Sequence, residues 1–439
     1  MNLRLDNPTK PGKRIIPHPK PPMTLKETGL DPEWMADLLI KTIYRQNLQL
    51  PSEMSKATKL PIPLIDKLIQ ILSEKRLIEV KGQLGASLTA EMRYQLPSAG
   101  KAWALEALAQ SEYIGPAPVP VDMFTAQVRK QSIRSEVLTR EALERQFSHL
   151  TMPDWMTEQI GPAVNSGQSI LLYGPPGNGK SSIAEAVAAA YEDYIFIPHA
   201  LEVDGQVITL YDPTVHRLMV EDNRDPGSIR HERAFDERFI RTRRPVIITG
   251  GELNLDMLDL SYSPISKIYE APIQLKACGG VFVIDDFGRQ RESPQALVNR
   301  MIIPLEANKD FLSLQTGRKF QIIFDALVVF STNINPKELV DGAALRRLRY
   351  KILVDSPDIE TFVDIFHRAA KRAGLELTEE ILSFVMFELY EKEEGAKVQA
   401  FHPRFLIDQI LAICTYEGTK PALREDYLRR AWGNLYTKH

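Results

Sequence analysis

The stretch Ser169-Ile170-Leu171-Leu172-Tyr173, followed at once by Gly174-Pro175-Pro176-Gly177-Asn178-Gly179-Lys180-Ser181-Ser182, decides how this chain is read. The first five residues have the apolar run of a short buried strand, and the alanine-rich segment after Ser182 has the composition of a helix. Between them lies GxxxxGK[ST] in the strand-to-helix setting that gives the pattern its meaning. Glycines there let successive backbone N–H groups converge on phosphate oxygens, and the following helix adds its positive N-terminus. Gly174 to Ser182 are therefore the expected binding loop for ATP. Lys180 is expected to reach the β- and γ-phosphates, and the Ser181 hydroxyl to bind Mg²⁺.

Two further strand ends complete the expected site. In Gly279-Gly280-Val281-Phe282-Val283-Ile284-Asp285-Asp286 four apolar residues of a buried parallel strand deliver paired carboxylates at their C-terminal end. Asp285 is expected to hold the magnesium, and Asp286 to orient or deprotonate the attacking water. Ala326-Leu327-Val328-Val329-Phe330 forms a third strand, ending in Ser331-Thr332-Asn333-Ile334-Asn335-Pro336. A polar side chain at that tip belongs near the γ-phosphate. Asn333 is the first choice and Asn335 the second, with an Asx turn before Pro336 as the competing structural role.

Outward from this centre, the 439 residues are 44% hydrophobic and 25% charged with a net charge of -3, the composition of a soluble globular protein of about three units. That excludes a globally disordered chain and a wholly basic nucleic-acid coat. No apolar run approaches the length of a membrane span, and the N-terminus lacks a secretory signal, so a cytoplasmic protein without membrane insertion is expected. Cys278 and Cys414 have no metal-ligand spacing and read as buried small apolar residues.

Residues 1–23 are rich in Pro, Lys and Arg and read as a flexible basic arm. Residues 24–113 suggest three helices, then strands at Leu77 to Lys81 and Arg93 to Leu96 around a Gly82/Gly85 loop, then a fourth helix from about Ser98, the order of a winged helix. This segment holds eleven basic and eleven acidic residues, which leaves DNA binding and protein docking equally open. The prolines of Ile114 to Pro120 mark a linker, taken as 114–139. Entry helices are expected over Arg140 to Gly167, with Leu143, Phe147, Leu150, Trp155 and Ile160 packing on the sheet.

With these pieces in place, the chain resembles the AAA+ ATPases from about Leu150 to its C-terminus. The resemblance is carried by GPPGNGKS at Gly174 to Ser181 (Walker A), VFVIDD at Val281 to Asp286 (Walker B), FSTN at Phe330 to Asn333 (sensor 1) and DGAALRRLRYKI at Asp341 to Ile352. It implies an α/β fold: a P-loop NTPase parallel sheet over 140–355 with a helical lid over 356–439, joined here to the winged-helix-like domain. It also implies an arginine finger reaching the neighbouring subunit's nucleotide. Arg347 matches that position best and Arg346 is the alternative. Arg404, in Phe401-His402-Pro403-Arg404-Phe405, matches sensor 2, with a helix-cap arginine as the competing role, and His402 reads as structural.

This chain departs from the family in two ways. Asp286 stands where Glu is usual, one methylene shorter. The 105 positions from Lys180 to Asp285 imply an insertion, placed at about 198–275. Within it Leu201 to Ile208 looks like a hairpin around Asp204-Gly205. A charged stretch follows, in which Arg233, Arg238, Arg241, Arg243 and Arg244 either serve a function or pair with Glu232, Asp236 and Glu237 on a solvated helix. A second hairpin, Phe311 to Leu314 with Phe320 to Ile323, is similar to the pre-sensor-1 hairpin of a clade that includes MoxR-type ATPases. The leading expectation is a Mg²⁺-dependent ATPase assembling as a ring, expected to be hexameric, that remodels or assembles an unidentified protein partner. The alternative is a DNA-binding regulator whose oligomerisation is switched by ATP.

Overall fold

The computed structural model describes residues 16–83, 91–219, 235–393 and 396–435. Its centre is a five-stranded, all-parallel sheet made of β1 (Ile170–Tyr173), β2 (Val246–Thr249), β3 (Val281–Ile284), β4 (Leu327–Thr332) and β5 (Tyr350–Leu353). The strands lie in the order β5-β1-β4-β3-β2. Alternation along each strand sends side chains to two cores. Ile170, Leu172, Val281, Val283, Leu327 and Val329 enter the first, with Leu143, Phe147 and Ile160 from helices Arg140–Phe147 and Asp154–Asn165. Leu171, Phe282, Ile284, Val328 and Phe330 enter the second, with Leu297, Val298 and Met301 from helix Pro294–Ala307. The central strands β1, β4 and β3 are covered on both faces, which is why they read as continuous apolar runs, whereas Val246 and Ile248 of the edge strand β2 are 39% and 45% exposed. Trp155, expected to pack on the sheet, is 44% exposed.

β2 went unseen in the sequence and lies inside the expected 198–275 insertion, so that insertion is not continuous. On either side of β2 the chain builds a second sheet from Ser261–Ser263, Ile268–Glu270, Gln206–Thr209, Ala200–Val203 and Val119–Pro120. The expected hairpin is there, with Asp204 and Gly205 at φ 48° and 78°, as a tight two-residue turn demands. The second expected hairpin pairs Lys309–Ser313 with Lys319–Ile323. Its Leu312, Leu314 and Ile322 share a core with Phe124 and the second sheet.

Two expectations are corrected here. The span 114–139 is not a linker: Ala117, Val119 and Phe124 are fully buried, Val119–Pro120 is a strand of the second sheet, and Val121–Lys130 is a helix. Proline marks that edge strand because it needs no ladder N–H there. Of the basic arm, residues 1–15 lie outside the described residues, whereas Ile16 is fully buried and Pro17 and Pro19 accept hydrogen bonds from Gln127 and the Asp236 amide.

The charged stretch is a strand, Phe239–Arg243, paired with Tyr194–Pro198, and not a solvated helix. Arg233 and Glu232 lie outside the described residues. Arg238 is fully buried against Asp236, with Nη2 2.8 Å from Oδ2, and its Nη1 donates to the Thr28 carbonyl. Arg244 is buried on Asp193, and Arg241 sits 3.8 Å from the centre of the Tyr194 ring. Three of these arginines are thus internal braces, and only Arg243 of the four described is exposed.

Residues 32–110 contain helices Pro32–Gln46, Pro51–Thr58, Ile62–Glu74 and Ser98–Gln110, and an antiparallel ribbon of Glu79–Gln83, exposed throughout, with Met92–Gln95, whose Arg93 and Tyr94 are half-buried. Gly85 lies outside the described residues. At the other end, Ile359–Arg372, Glu379–Ser383, His402–Glu417 and Glu425–Gly433 form a helical unit around Phe362, Phe366, Leu406 and Trp432. Both cysteines are buried.

Candidate functional site

Loop 174–179 leaves β1 and enters helix Lys180–Ala189 at the carboxyl end of the sheet, where open parallel sheets bind ligands. Its glycines are required by the backbone. Gly174, Gly177 and Gly179 have φ of 142°, 77° and 88°, and a Cβ on Gly174 would lie 2.3 Å from the Val354 carbonyl oxygen. Lys180, only 6% exposed, folds back to donate to the carbonyls of Gly174 at 2.9 Å and Pro175 at 2.7 Å. Burial pulls its pKa down from the usual lysine range, while the Asp285 and Asp286 carboxylates oppose the shift.

The neighbouring strand ends meet this loop. Ser181 Oγ donates to Asp285 Oδ2 at 2.7 Å, joining the loop to the end of β3. Asp286 follows with φ 46°, and Asn333 Nδ2, just past β4, donates to its Oδ1 at 3.3 Å. Asn335 instead accepts the Lys337 amide at 3.0 Å and caps helix Pro336–Leu339, so the structure gives the runner-up the Asx role and leaves Asn333 in the cleft. Further backbone bonds, Asp285 N to Thr249 O and Phe287 N to Ser331 O, lock the three tips together.

The C-terminal helical unit closes the other side. The Phe401 amide donates to Gly177 O at 3.0 Å and the Ala400 amide to Asn178 Oδ1 at 3.1 Å. The resulting cleft, of about 830 Å³, is lined by Lys180, Ser181, Asp285, Asp286, Asn333 and Arg404, together with Pro176 to Gly179 and Ser182. Arg404 is largely exposed and 3.6 Å from Asp408, one helical turn on. His402 is buried against Tyr390, and burial lowers its pKa to about 4, so it is a neutral packing residue at physiological pH.

Arg346 and Arg347 stand apart from this cleft. Arg347 pairs with Glu306 at 3.0 Å and donates to the Ala343 carbonyl, whereas Arg346 is exposed. The preferred residue, Arg347, is thus half-buried and paired, and the alternative, Arg346, is exposed.

Three lining or bracing residues escaped the sequence. Arg368 and Arg372, spaced one helical turn apart on helix Ile359–Arg372, reach the carbonyls of Ser148 and His149 and line the cleft. Their i, i+4 spacing is the only signal, and it does not say which surface the pair meets. Gln290, 8% exposed, binds the backbone behind Asp286, and no pattern marks it.

The donor set suits magnesium with a triphosphate. One hydroxyl and one carboxylate are hard oxygen donors, and Mg²⁺ takes few protein ligands when phosphates and water supply the rest. Among the described residues no group of three or more His, Cys, Asp or Glu gathers into a self-sufficient metal site.

The comparisons with known proteins bear on the same residues. Residues 170–356 match the model of the ATPase family associated with various cellular activities, and 358–434 match a domain of unknown function. Spastin of Anopheles gambiae is 24% identical over 275 residues, 63% of this chain and 26% of that protein, so the chain spans about a quarter of the length of this curated relative. Among solved structures, a mutant of Thermotoga maritima RuvB is 13% identical with a TM-score of 0.35, covering 69% of this chain and 73% of that one. Domain III of the Thermotoga maritima replication initiation protein DnaA is 13% identical with a TM-score of 0.37, covering 67% of this chain and 98% of that one. By the family match over residues 170–356, on a parallel α/β sheet whose strand ends carry the loop, the paired carboxylates and the polar tip, this part of the chain is an AAA-family ATPase domain.

Proposed function

We propose that the chain is a Mg²⁺-dependent, cytoplasmic ATP hydrolase that works as a ring, with six subunits the expected number, and uses ATP turnover to remodel or assemble a protein partner. The observation that carries this reading is the convergence of Lys180, the Ser181–Asp285 pair and the Asp286–Asn333 pair in one cleft beneath the lid. Magnesium held by Ser181 and Asp285 would neutralise charge on the phosphates. Lys180 binds β- and γ-phosphate oxygens in exchange for the two loop carbonyls it now contacts. Asp286, held by Asn333, orients the attacking water and accepts its proton. The contacts of Phe401 with Gly177 and Ala400 with Asn178 tie the lid to the same loop, so nucleotide state is felt as lid position.

The arginine finger is assigned to the Arg346/Arg347 pair. Since neither lines the chain's own cleft, a neighbouring subunit is the place for either to act. Turnover per subunit should then rise with protein concentration, and Lys180→Ala should abolish it. Of Arg346→Ala and Arg347→Ala, the true finger is the one whose loss removes turnover by about 10³-fold while assembly, followed by light scattering, persists. Turnover independent of concentration would remove the shared-site ring.

A second reading rests on the ribbon of Glu79–Gln83, exposed throughout, with Met92–Gln95 beside its helices, a winged-helix-like arrangement open to DNA. Binding of the full chain to duplex DNA, falling steeply between two salt concentrations, would favour the ATP-switched regulator.

A further inference from the structure

We infer that Gln290 is a positioning residue for hydrolysis: it holds the backbone of Asp286 in the left-handed conformation that presents this carboxylate to Asn333. The inference rests on the reading of Asp286 as the water-orienting carboxylate.

Asp286 has φ 46°, a conformation that Asp tolerates better than most residues but that the surroundings must enforce. Gln290 contributes to that enforcement from a buried position, beside the Arg289 amide, which donates to the Asp286 carbonyl at 2.8 Å. Its Nε2 lies 3.1 Å from the Asp285 carbonyl, 3.4 Å from that of Asp286 and 3.2 Å from that of Gly250, beyond the end of β2. Its Oε1 accepts the Gly288 amide at 2.8 Å. The amide orientation is fixed by chemistry, because the flipped group would set its oxygen against three carbonyl oxygens. One side chain therefore spans the turn from Asp285 to Gly288 and ties it to the neighbouring strand. No charged or apolar residue can reproduce both halves of that pattern: glutamate keeps only the acceptor and methionine keeps neither.

The consequence follows from length. Asp286 is one methylene shorter than the glutamate usual at this position, so its reach depends more on where its backbone is held. Asn333 Nδ2 touches Asp286 Oδ1 at 3.3 Å in this conformation. Relaxation of the turn to negative φ swings the carboxylate away from that donor without moving Lys180 or Ser181.

The test uses the full chain at a concentration where the wild type is active. Gln290→Met and the isosteric Gln290→Glu are each expected to lower kcat by about tenfold or more, the usual cost of losing a group that orients a functional side chain. The KM for ATP and the affinity for a fluorescent ATP analogue should stay within about twofold of wild type. Placed in an Asp286→Asn background, either substitution should cost nothing further in residual rate, since its effect runs through that carboxylate. Thermal unfolding separates this from misfolding, with at least one of the two variants keeping a wild-type transition. Equal losses in kcat and nucleotide affinity, or an undiminished loss in the Asp286→Asn background, would overturn the role of Gln290 and leave that of Asp286 standing. Wild-type turnover by Asp286→Asn itself would remove both.

Discussion

Gly177 shows how tightly the site is drawn at the scale of one residue. Its φ is 77°, and a Cβ there would lie 2.3 Å from Phe401 Cδ1, at the start of helix His402–Glu417. Gly179 has a similar φ of 88°, but a Cβ there would meet nothing within 4 Å. The two positions separate backbone strain from steric conflict. Gly179→Ala should cost about 1–2 kcal/mol in thermal stability through strain alone. Gly177→Ala should cost more, and should also loosen the lid, read as faster amide exchange at Phe401. Equal effects at both sites would mean that the aromatic ring shifts aside freely. The glycines, Lys180, Ser181 and Asp285 were legible in the sequence because their chemistry fixes their spacing within one loop and one strand end. Gln290 was not, since it contributes hydrogen bonds to carbonyls that come together only when β2 and β3 are paired.

At the scale of elements, the strand Phe239–Arg243 is the instructive case. A run of arginines and acids reads as a solvated helix face, yet Arg238 and Asp236 are 0% and 1% exposed and paired through two nitrogens. The guanidinium also donates to the Thr28 carbonyl, binding a segment 210 residues earlier in the chain. Removal of one partner strands a buried charge, so Arg238→Met should destabilise by about 3–5 kcal/mol, measured as a shift in the urea midpoint. The double substitution Arg238→Met with Asp236→Leu should recover most of that loss; failure to recover would mean that the contact with Thr28 dominates. The same tertiary override explains why β2 escaped notice. Val246-Ile247-Ile248-Thr249 is only four residues long and directly follows this charged strand, and its place is set by pairing with β3. β1, β3 and β4 were plain because each is apolar on both faces and ends in a chemically marked tip.

At the scale of the whole molecule, the N-terminal helical unit is fastened to the ATPase rather than tethered to it. Trp34 Nε1 donates to the Gly205 carbonyl, the Ala117 amide to Thr58, the Glu112 amide to Ser266, and Lys267 to the Ala109 carbonyl. Ala200 and Val207 of the second sheet are buried in the same core as Leu39, Leu64 and Leu68. The second sheet in turn holds the hairpin Lys309–Ile323, through Asp204 with Arg318 and through Tyr269 with the Gln315 amide. A partner engaging the N-terminal unit therefore acts on a body continuous with that hairpin. Limited trypsin digestion distinguishes this from a tethered domain. Arg129 and Lys130 lie in the span whose prolines suggest a linker and have exposed side chains, so a loose tether would be cut there first. In the fold they end helix Val121–Lys130, whose Phe124 and Val128 are buried, and a protease needs that helix to open. The first cuts should fall elsewhere, leaving 114–139 intact in the early fragments. An early fragment ending at Arg129 or Lys130 would show that the N-terminal unit detaches, and that any signal from it must reach the cleft by another route.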